Sequence, residues 1–380
     1  MKQTARIIST YSADVFGVCS ALFELGGMVI MHDASGCNST YTTHDEPRWY
    51  DMDSMVYISG LSEMEAIMGD DEKLINDITA AAADLKPRFI AVAGTPIPTM
   101  TGFDFHAVAE LIEQRTEIPA FGFPTTGMHS YIYGANMALE AIARRFVIQD
   151  IKKTDAPSVN ILGLTPLDFT VNGTDKALTE FLNQAGYRVI SSWAMGSSLE
   201  DLSLAGSAHV NLVVSASGIG AAKALQQMFG TPYVVGIPIG KAYADAVRAA
   251  LNAAVSSGRN QFPVSDLPGD DIVVIGEGVF SLSLASALEL ETGKAVKIIC
   301  PTECPQNILR SKDCNLHSEE DIETMIASAR LVIADPLYQP ICPEDIPFVQ
   351  LPTEAFSGRI YRQQIPNLVS DFENFVGKVL

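Results

Sequence analysis

The 380-residue sequence is short of several things, and each shortage excludes something. It has no apolar run near the roughly 20 residues that cross a bilayer, so a membrane-spanning helix is not expected. Basic residues are in the minority: 25 Lys and Arg stand against 45 Asp and Glu, for a net charge of −20. Sequence-independent nucleic-acid binding needs the opposite balance. The acidic residues are dispersed and read as a solvated surface. Six cysteines over this length are too few for a disulfide scaffold. No long apolar region follows Met1 to Arg6, so a signal peptide is not expected, and the thiols read as those of a reduced, cytoplasmic protein. Nucleotide signatures are also missing. Gly276-Glu277-Gly278 lacks the third glycine of a dinucleotide fingerprint. Ser217-Gly218-Ile219-Gly220, followed by Lys223, lacks the Gly-Lys-Ser/Thr ending of a phosphate loop.

What is present is a well-cored chain, 47% apolar and 18% charged, long enough for two to three domains. Short apolar runs alternate with helical stretches. Met28 to Met31, Met55 to Ile58, Phe89 to Ala93 and Pro119 to Phe123 read as strands. Leu74 to Leu85, Asp104 to Arg115 and Ser130 to Phe146 read as helices, and Gly94 to Pro98 as a proline-marked loop. Residues Ser20 to Gly26 read as a short helix closed by glycine. The pattern restarts after Lys152 to Ser158 and again after Ser257 to Asn260. Alternation of this kind implies parallel, doubly wound sheets. The expected fold is α/β, with three consecutive Rossmann-like domains over residues 1–155, 156–258 and 259–380. Ligands gather at the carboxyl ends of such strands. In the second and third domains those ends are Thr165 to Asp168, Ser215 to Gly218 and Gly276 to Gly278, which should line a pocket.

The chain is organised around the carboxyl end of its first strand, His32-Asp33-Ala34-Ser35-Gly36-Cys37, a tight turn that presents one thiol. A second strand end leads into Ile58 to Leu74, rich in acids at Glu63, Glu65, Asp70 and Asp71. Acids there also suit helix starts. These two stretches resemble component 1 of the nitrogenases and nitrogenase-like reductases, where a strand ends in His-x-Gly-Pro-x-Gly-Cys and a segment like TSDLQEKDIVFGGEKKL follows. Gly230-Thr231-Pro232-Tyr233 with Ile237 to Gly240 is similar to that family's GTPYYELPMPIG, and Ser328 to Leu337 to its ARADLVVGNPL. The three matches fall in the family's order, and component 1 subunits have three Rossmann-like domains.

The resemblance implies a 4Fe–4S cluster shared between subunits and bound at Cys37, with Gly36 allowing close backbone approach. Such a cluster takes four protein ligands. The family's other cysteine positions fall near Tyr11-Ser12 and at Thr95, and neither holds a cysteine. Cys19 is the nearest substitute. A homodimer could supply Cys19 and Cys37 twice, and a hetero-oligomer could pair Cys37 with a related subunit's cysteines. As a packing residue, Cys19 would sit on a helix face. The resemblance further implies an oxidoreductase subunit taking electrons from a separate, ATP-dependent iron protein. A cofactor-assembly scaffold of the same fold, or a cluster-free small-molecule-binding protein, are the alternatives. The position of the family's large-cofactor cysteine falls near Val214 to Ala216, which holds none. Cys300-Pro301-Thr302-Glu303-Cys304, with Cys314, could hold a metal at a strand end, yet it lacks the C-x2-C spacing of zinc sites and has no family counterpart, so a structural or surface role is the expectation. Cys342 reads likewise. Hydrogen-bonded structural roles are the expectation for His32, His44, His106 and His129. No residue is assigned a catalytic role from sequence.

Overall fold

The computed structural model describes residues 6–9, 12–34, 36, 38, 41 and 46–379. Three parallel sheets follow one another along the chain. The first unit runs α1 (Asp14–Leu22), β1 (Met28–Met31), β2 (Met55–Ile58), α2 (Glu63–Met68), α3 (Asp71–Leu85), β3 (Ile90–Ala93), α4 (Pro96–Thr101), α5 (Phe105–Thr116), β4 (Ala120–Phe123) and α6 (Tyr131–Phe146). The second runs β5 (Ser158–Leu162), α7 (Pro166–Phe169), α8 (Thr174–Gln184), β6 (Arg188–Ser192), α9 (Leu199–Ser203), β7 (Val210–Val213), α10 (Ile219–Phe229), β8 (Tyr233–Val235) and α11 (Lys241–Ser257). The third runs β9 (Ile272–Ile275), α12 (Gly278–Thr292), β10 (Val296–Cys300), β11 (Cys314–Asn315), α13 (Glu319–Ile326), β12 (Leu331–Ala334), β13 (Phe348–Gln350), α14 (Glu354–Ser357) and α15 (Phe372–Val379).

The strand orders are β2-β1-β3-β4, β6-β5-β7-β8 and β11-β10-β9-β12-β13. In each, the first strand of the unit lies inside the sheet with a crossover on either side. Helices therefore cover both faces, and the central strands are buried on both sides, as continuous apolar runs require. The expected α/β class with Rossmann-like units is what forms.

Two local expectations need correction. Gly94 to Pro98 is not a loop throughout: Pro96 opens α4. Proline suits the first helical turn, where its missing N–H has no intrahelical partner anyway. The first helix is α1, not Ser20 to Gly26, and it starts at Asp14. Nearly every residue of α1 is buried, so it carries no amphipathic stripe to read. Its backbone lies directly on α6. A Cβ on Gly17 would stand 1.9 Å from the Tyr131 carbonyl oxygen, and one on Gly134 1.9 Å from that of Asp14. Glycine at both positions is what lets the two helices touch.

Candidate functional site

The carboxyl end of the first sheet is built from four strand exits and the start of α1. At the exit of β1, Asp33 accepts from Asn38 Nδ2 at 2.7 Å and from Thr95 Oγ1 at 3.1 Å. Thr95 Oγ1 also approaches the His32 carbonyl at 2.9 Å. The residue at one of the expected cysteine positions thus braces the turn that leads to Cys37. From β2, Ser59 Oγ lies 2.9 Å from His32 Nδ1, and the Leu61 amide donates to the Asp33 carbonyl at 2.8 Å. Burial pushes His32 down to about 4, so the imidazole is neutral near pH 7 and acts as a hydrogen-bonded strut against Phe103. Asp14, at the head of α1, accepts from the amides of Thr126 at 2.9 Å and Gly127 at 2.8 Å, fixing the exit of β4.

Cys37 itself, with Ser35 and His44, lies outside the described residues. Gly36 is exposed. Beyond the turn the chain is anchored by a buried charge cluster. Arg48 Nε donates to Glu46 at 2.7 Å and Nη1 to Glu24 at 3.0 Å. Its remaining donors reach the carbonyls of Ser20 and Ala194 at 2.9 and 2.8 Å, and Tyr41 donates to Glu46 at 3.0 Å. Cys19 is 0% exposed, inside the core on α1. Burial and the nearby Glu46 push its thiol well above the usual range, so it stays protonated.

Around this turn lies an uncovered apolar face. The helix α2 has no buried residue, and Met64, Ile67 and Met68 are 67%, 69% and 72% exposed. The neighbouring α4 presents Ile97 and Met100, the latter 86% exposed, and Met128 beyond it is 83% exposed. A Cβ at Gly127 would lie 3.1 Å from Pro96, so the loop that carries Met128 abuts α4. The acids of this segment serve as helix starts. Glu65 closes a capping box with Ser62 and pairs with Lys73 at 2.7 Å, Glu63 opens α2, and Asp70 and Asp71 begin α3.

A second group of polar side chains sits where the three units meet. The expected strand-end loops do converge: the Ala216 amide donates to Glu277 Oε1 at 2.8 Å, and Asp168 accepts from Thr165 Oγ1 at 2.9 Å and from the Tyr131 hydroxyl. Gly163 and Gly218 allow their backbones to touch, since a Cβ on Gly218 would lie 2.5 Å from the Leu162 carbonyl carbon. These bonds tie the loops to one another, and only a small cavity borders Asp168. The cavity beside Asp168 holds only about 10 Å³, room for a single water. Burial raises Asp168, and burial together with Asp168 raises Glu277, so this site holds protons that exposed carboxylates would release.

A cleft of about 820 Å³ lies between the first and third units. Tyr338, Phe356 and Ile322 supply apolar wall; His129, Ser130, Glu303 and His317 supply polar groups. Across it, Glu303 accepts from the Ser130 amide at 3.0 Å and hydroxyl, and lies 3.4 Å from His129 Nδ1. Although burial opposes it, these Ser130 bonds hold Glu303 below the usual carboxylate range. Sequence reasoning missed Glu303. The available signal was its place just after β10, the same strand-end logic that marked His129 after β4.

Residues 14–327 match the family described as nitrogenase component 1 type oxidoreductase. The chain belongs to that family. Among curated relatives it is 29% identical, over 185 residues, to a subunit of the light-independent protochlorophyllide reductase of Nostoc punctiforme. That alignment takes in 45% of this chain and 36% of the relative. It is 24% identical over 209 residues to the nitrogenase iron-molybdenum cofactor biosynthesis protein NifE of Klebsiella pneumoniae, covering 50% of this chain and 44% of NifE. The chain thus spans less than half the length of these relatives. A solved structure of nitrogenase Cp1 superposes with a TM-score of 0.72 at 16% identity, covering all of this chain and 93% of the other, which establishes the shared fold.

The family's iron–sulfur chemistry can be tested against the donors present. Among the described residues no group of three or more His, Cys, Asp or Glu side chains could hold a metal ion. The two expected cysteine positions offer hydroxyls, Ser12 and Thr95, and Cys19 is enclosed. These residues do not complete a ligand set within one chain. Among the described residues, no helix is long and apolar enough to cross a membrane.

Proposed function

We propose that this chain is one subunit of a nitrogenase-like oxidoreductase, joined to a homologous component 1 subunit through the face that carries Cys37. The observation that carries this reading is the row of exposed methionines and isoleucines on α2, α4 and Met128, beside the turn. Exposed apolar patches of this kind are normally covered by a partner. Cys37 would be this chain's ligand to a 4Fe–4S cluster shared across that contact. The cluster's contribution would be one-electron transfer, with electrons arriving from an ATP-dependent iron protein. The burial of Cys19 speaks for a set completed by the partner's ligands over one that draws twice on Cys19.

This chain's own residues hold the turn: Thr95 and Asn38 brace Asp33, and Arg48 anchors the segment that follows it. Substrate would enter the cleft between the first and third units, past the exposed imidazoles of His129 and His317. The test is anaerobic purification with the homologous subunit, followed by iron analysis and assay with iron protein, ATP and reductant. Iron in the complex and reductant-dependent product formation support the reading. The likeness to NifE favours a second reading, a scaffold that holds a metallocofactor without turnover. Iron without product would decide for that. No iron in any complex would remove both.

A further inference from the structure

The cysteine pair in the third unit has no part in the function proposed above, yet its surroundings are unusual. Cys300 ends β10 and is fully buried, while Cys304, four residues on, keeps partial exposure. The loop turns back and brings the two sulfurs to the same point of the fold. Both sulfurs lie against the start of α12. A Cβ on Gly278 would stand 2.3 Å from Cys304 Sγ and 3.6 Å from Cys300 Sγ, so only glycine leaves room for the pair. Cys300 also lies 3.4 Å from the Thr302 carbonyl and 3.5 Å from its hydroxyl. The neighbouring Cys304 sulfur, with smaller help from Thr302 and Asn315, lowers the Cys300 thiol below its ordinary range against its burial, while the same neighbour, burial and Glu277 raise Cys304. Cys19, by contrast, is a single thiol enclosed in the core.

We propose that Cys300 and Cys304 form a reversible dithiol–disulfide couple, oxidised by low-molecular-weight disulfides, in the loop that lines the cleft between the first and third units. The exchange balances. One protein thiolate attacks the small disulfide, breaking its S–S bond and releasing one small thiol. The neighbouring protein sulfur then displaces the second, forming the protein S–S bond. Two protein thiols are oxidised, one small disulfide is reduced, and both protons leave on the released thiols. The ring so closed contains Glu303, whose carboxylate spans the cleft to Ser130, so oxidation acts on a wall of the cleft.

Both cysteines fall in one tryptic peptide, residues 298–310, which makes the test direct. The full chain is equilibrated anaerobically with mixtures of reduced and oxidised glutathione. It is then quenched in acid, alkylated and mapped by mass spectrometry without reduction. The expected result is a peptide lighter by two hydrogens and free of alkylation, restored by dithiothreitol. It should be retained in Cys342→Ser and lost in Cys304→Ser. A persistent glutathione adduct on either cysteine, a link to any other cysteine, or two alkylated thiols at the most oxidising ratio would overturn the proposal. The wild-type map decides this even if the Cys304→Ser protein fails to fold.

Discussion

Replacing Arg48 with methionine probes how the return segment of the Cys37 turn is held. The guanidinium is 2% exposed and makes four bonds of 2.7 to 3.0 Å, two to carboxylates and two to carbonyls. It also lies 4.6 Å over the Phe23 ring. Methionine keeps the length and much of the packing, so the dominant change is electrostatic. Glu46, 1% exposed, is left without a cation, and Glu24 loses its ion partner while keeping the Gly196 amide. Removing one member of a buried ion pair costs about 3–5 kcal/mol, because the charge left behind is neither hydrated nor paired. A large part of that loss should return when Glu46→Gln is added, since an amide needs no counter-charge and can still accept from Tyr41. Urea unfolding of the single and double variants measures both quantities. A cost under about 1 kcal/mol for Arg48→Met, or no recovery in the double variant, would refute the claim that a desolvated ion pair anchors this segment.

Other substitutions test other parts of the account. Gly134→Ala places a Cβ 1.9 Å from the Asp14 carbonyl oxygen and should cost about 3 kcal/mol or more, seen as a lower unfolding midpoint. His32 is held down to about 4 from an ordinary 6.5, chiefly by burial. Below pH 6.5 the unfolded chain takes up a proton that the folded chain refuses. Stability should therefore fall as pH drops from 6.5 toward 4, by up to about 3 kcal/mol, and His32→Gln should flatten that limb of a pH–stability curve. The raised Asp168 and Glu277 act with the opposite sign. They lower stability as pH rises through their shifted range, and Asp168→Asn should reduce that slope. Changing Met64, Ile67 and Met68 to glutamate should leave the fold intact, because α2 buries nothing, yet abolish association with the partner subunit in size-exclusion chromatography.

The parts of this molecule legible in the sequence are those fixed by local patterning. Met28 to Met31 and Ile272 to Ile275 are buried on both faces and announce themselves as continuous apolar runs. The helix α1 is legible only in part because it is surrounded by protein and shows no polar side, and because Gly17 serves contact with α6, not helix propensity. The short edge strands β11 and β13 carry too few residues to register. The exit of β1 is recognisable as a ligand-gathering strand end, and Thr95 does reach it. What the pattern does not tell is which strand ends close and which stay open. The Asp168–Glu277 junction is sealed by Gly163 and Gly218, while the cleft beside Glu303 depends on how two units separated by more than a hundred residues lean together. Cys300 and Cys304 become a pair only because Gly278, on another element, leaves the space for both sulfurs.

The central claim is that the thiol of Cys37 holds iron jointly with a second subunit. The most direct measurement is iron content and low-temperature electron paramagnetic resonance of the anaerobically purified complex, comparing wild type with Cys37→Ser and Cys19→Ser. The account predicts a reduced-cluster signal and cluster iron in the wild type and in Cys19→Ser, and loss of both in Cys37→Ser. Iron and signal undiminished in Cys37→Ser would contradict it.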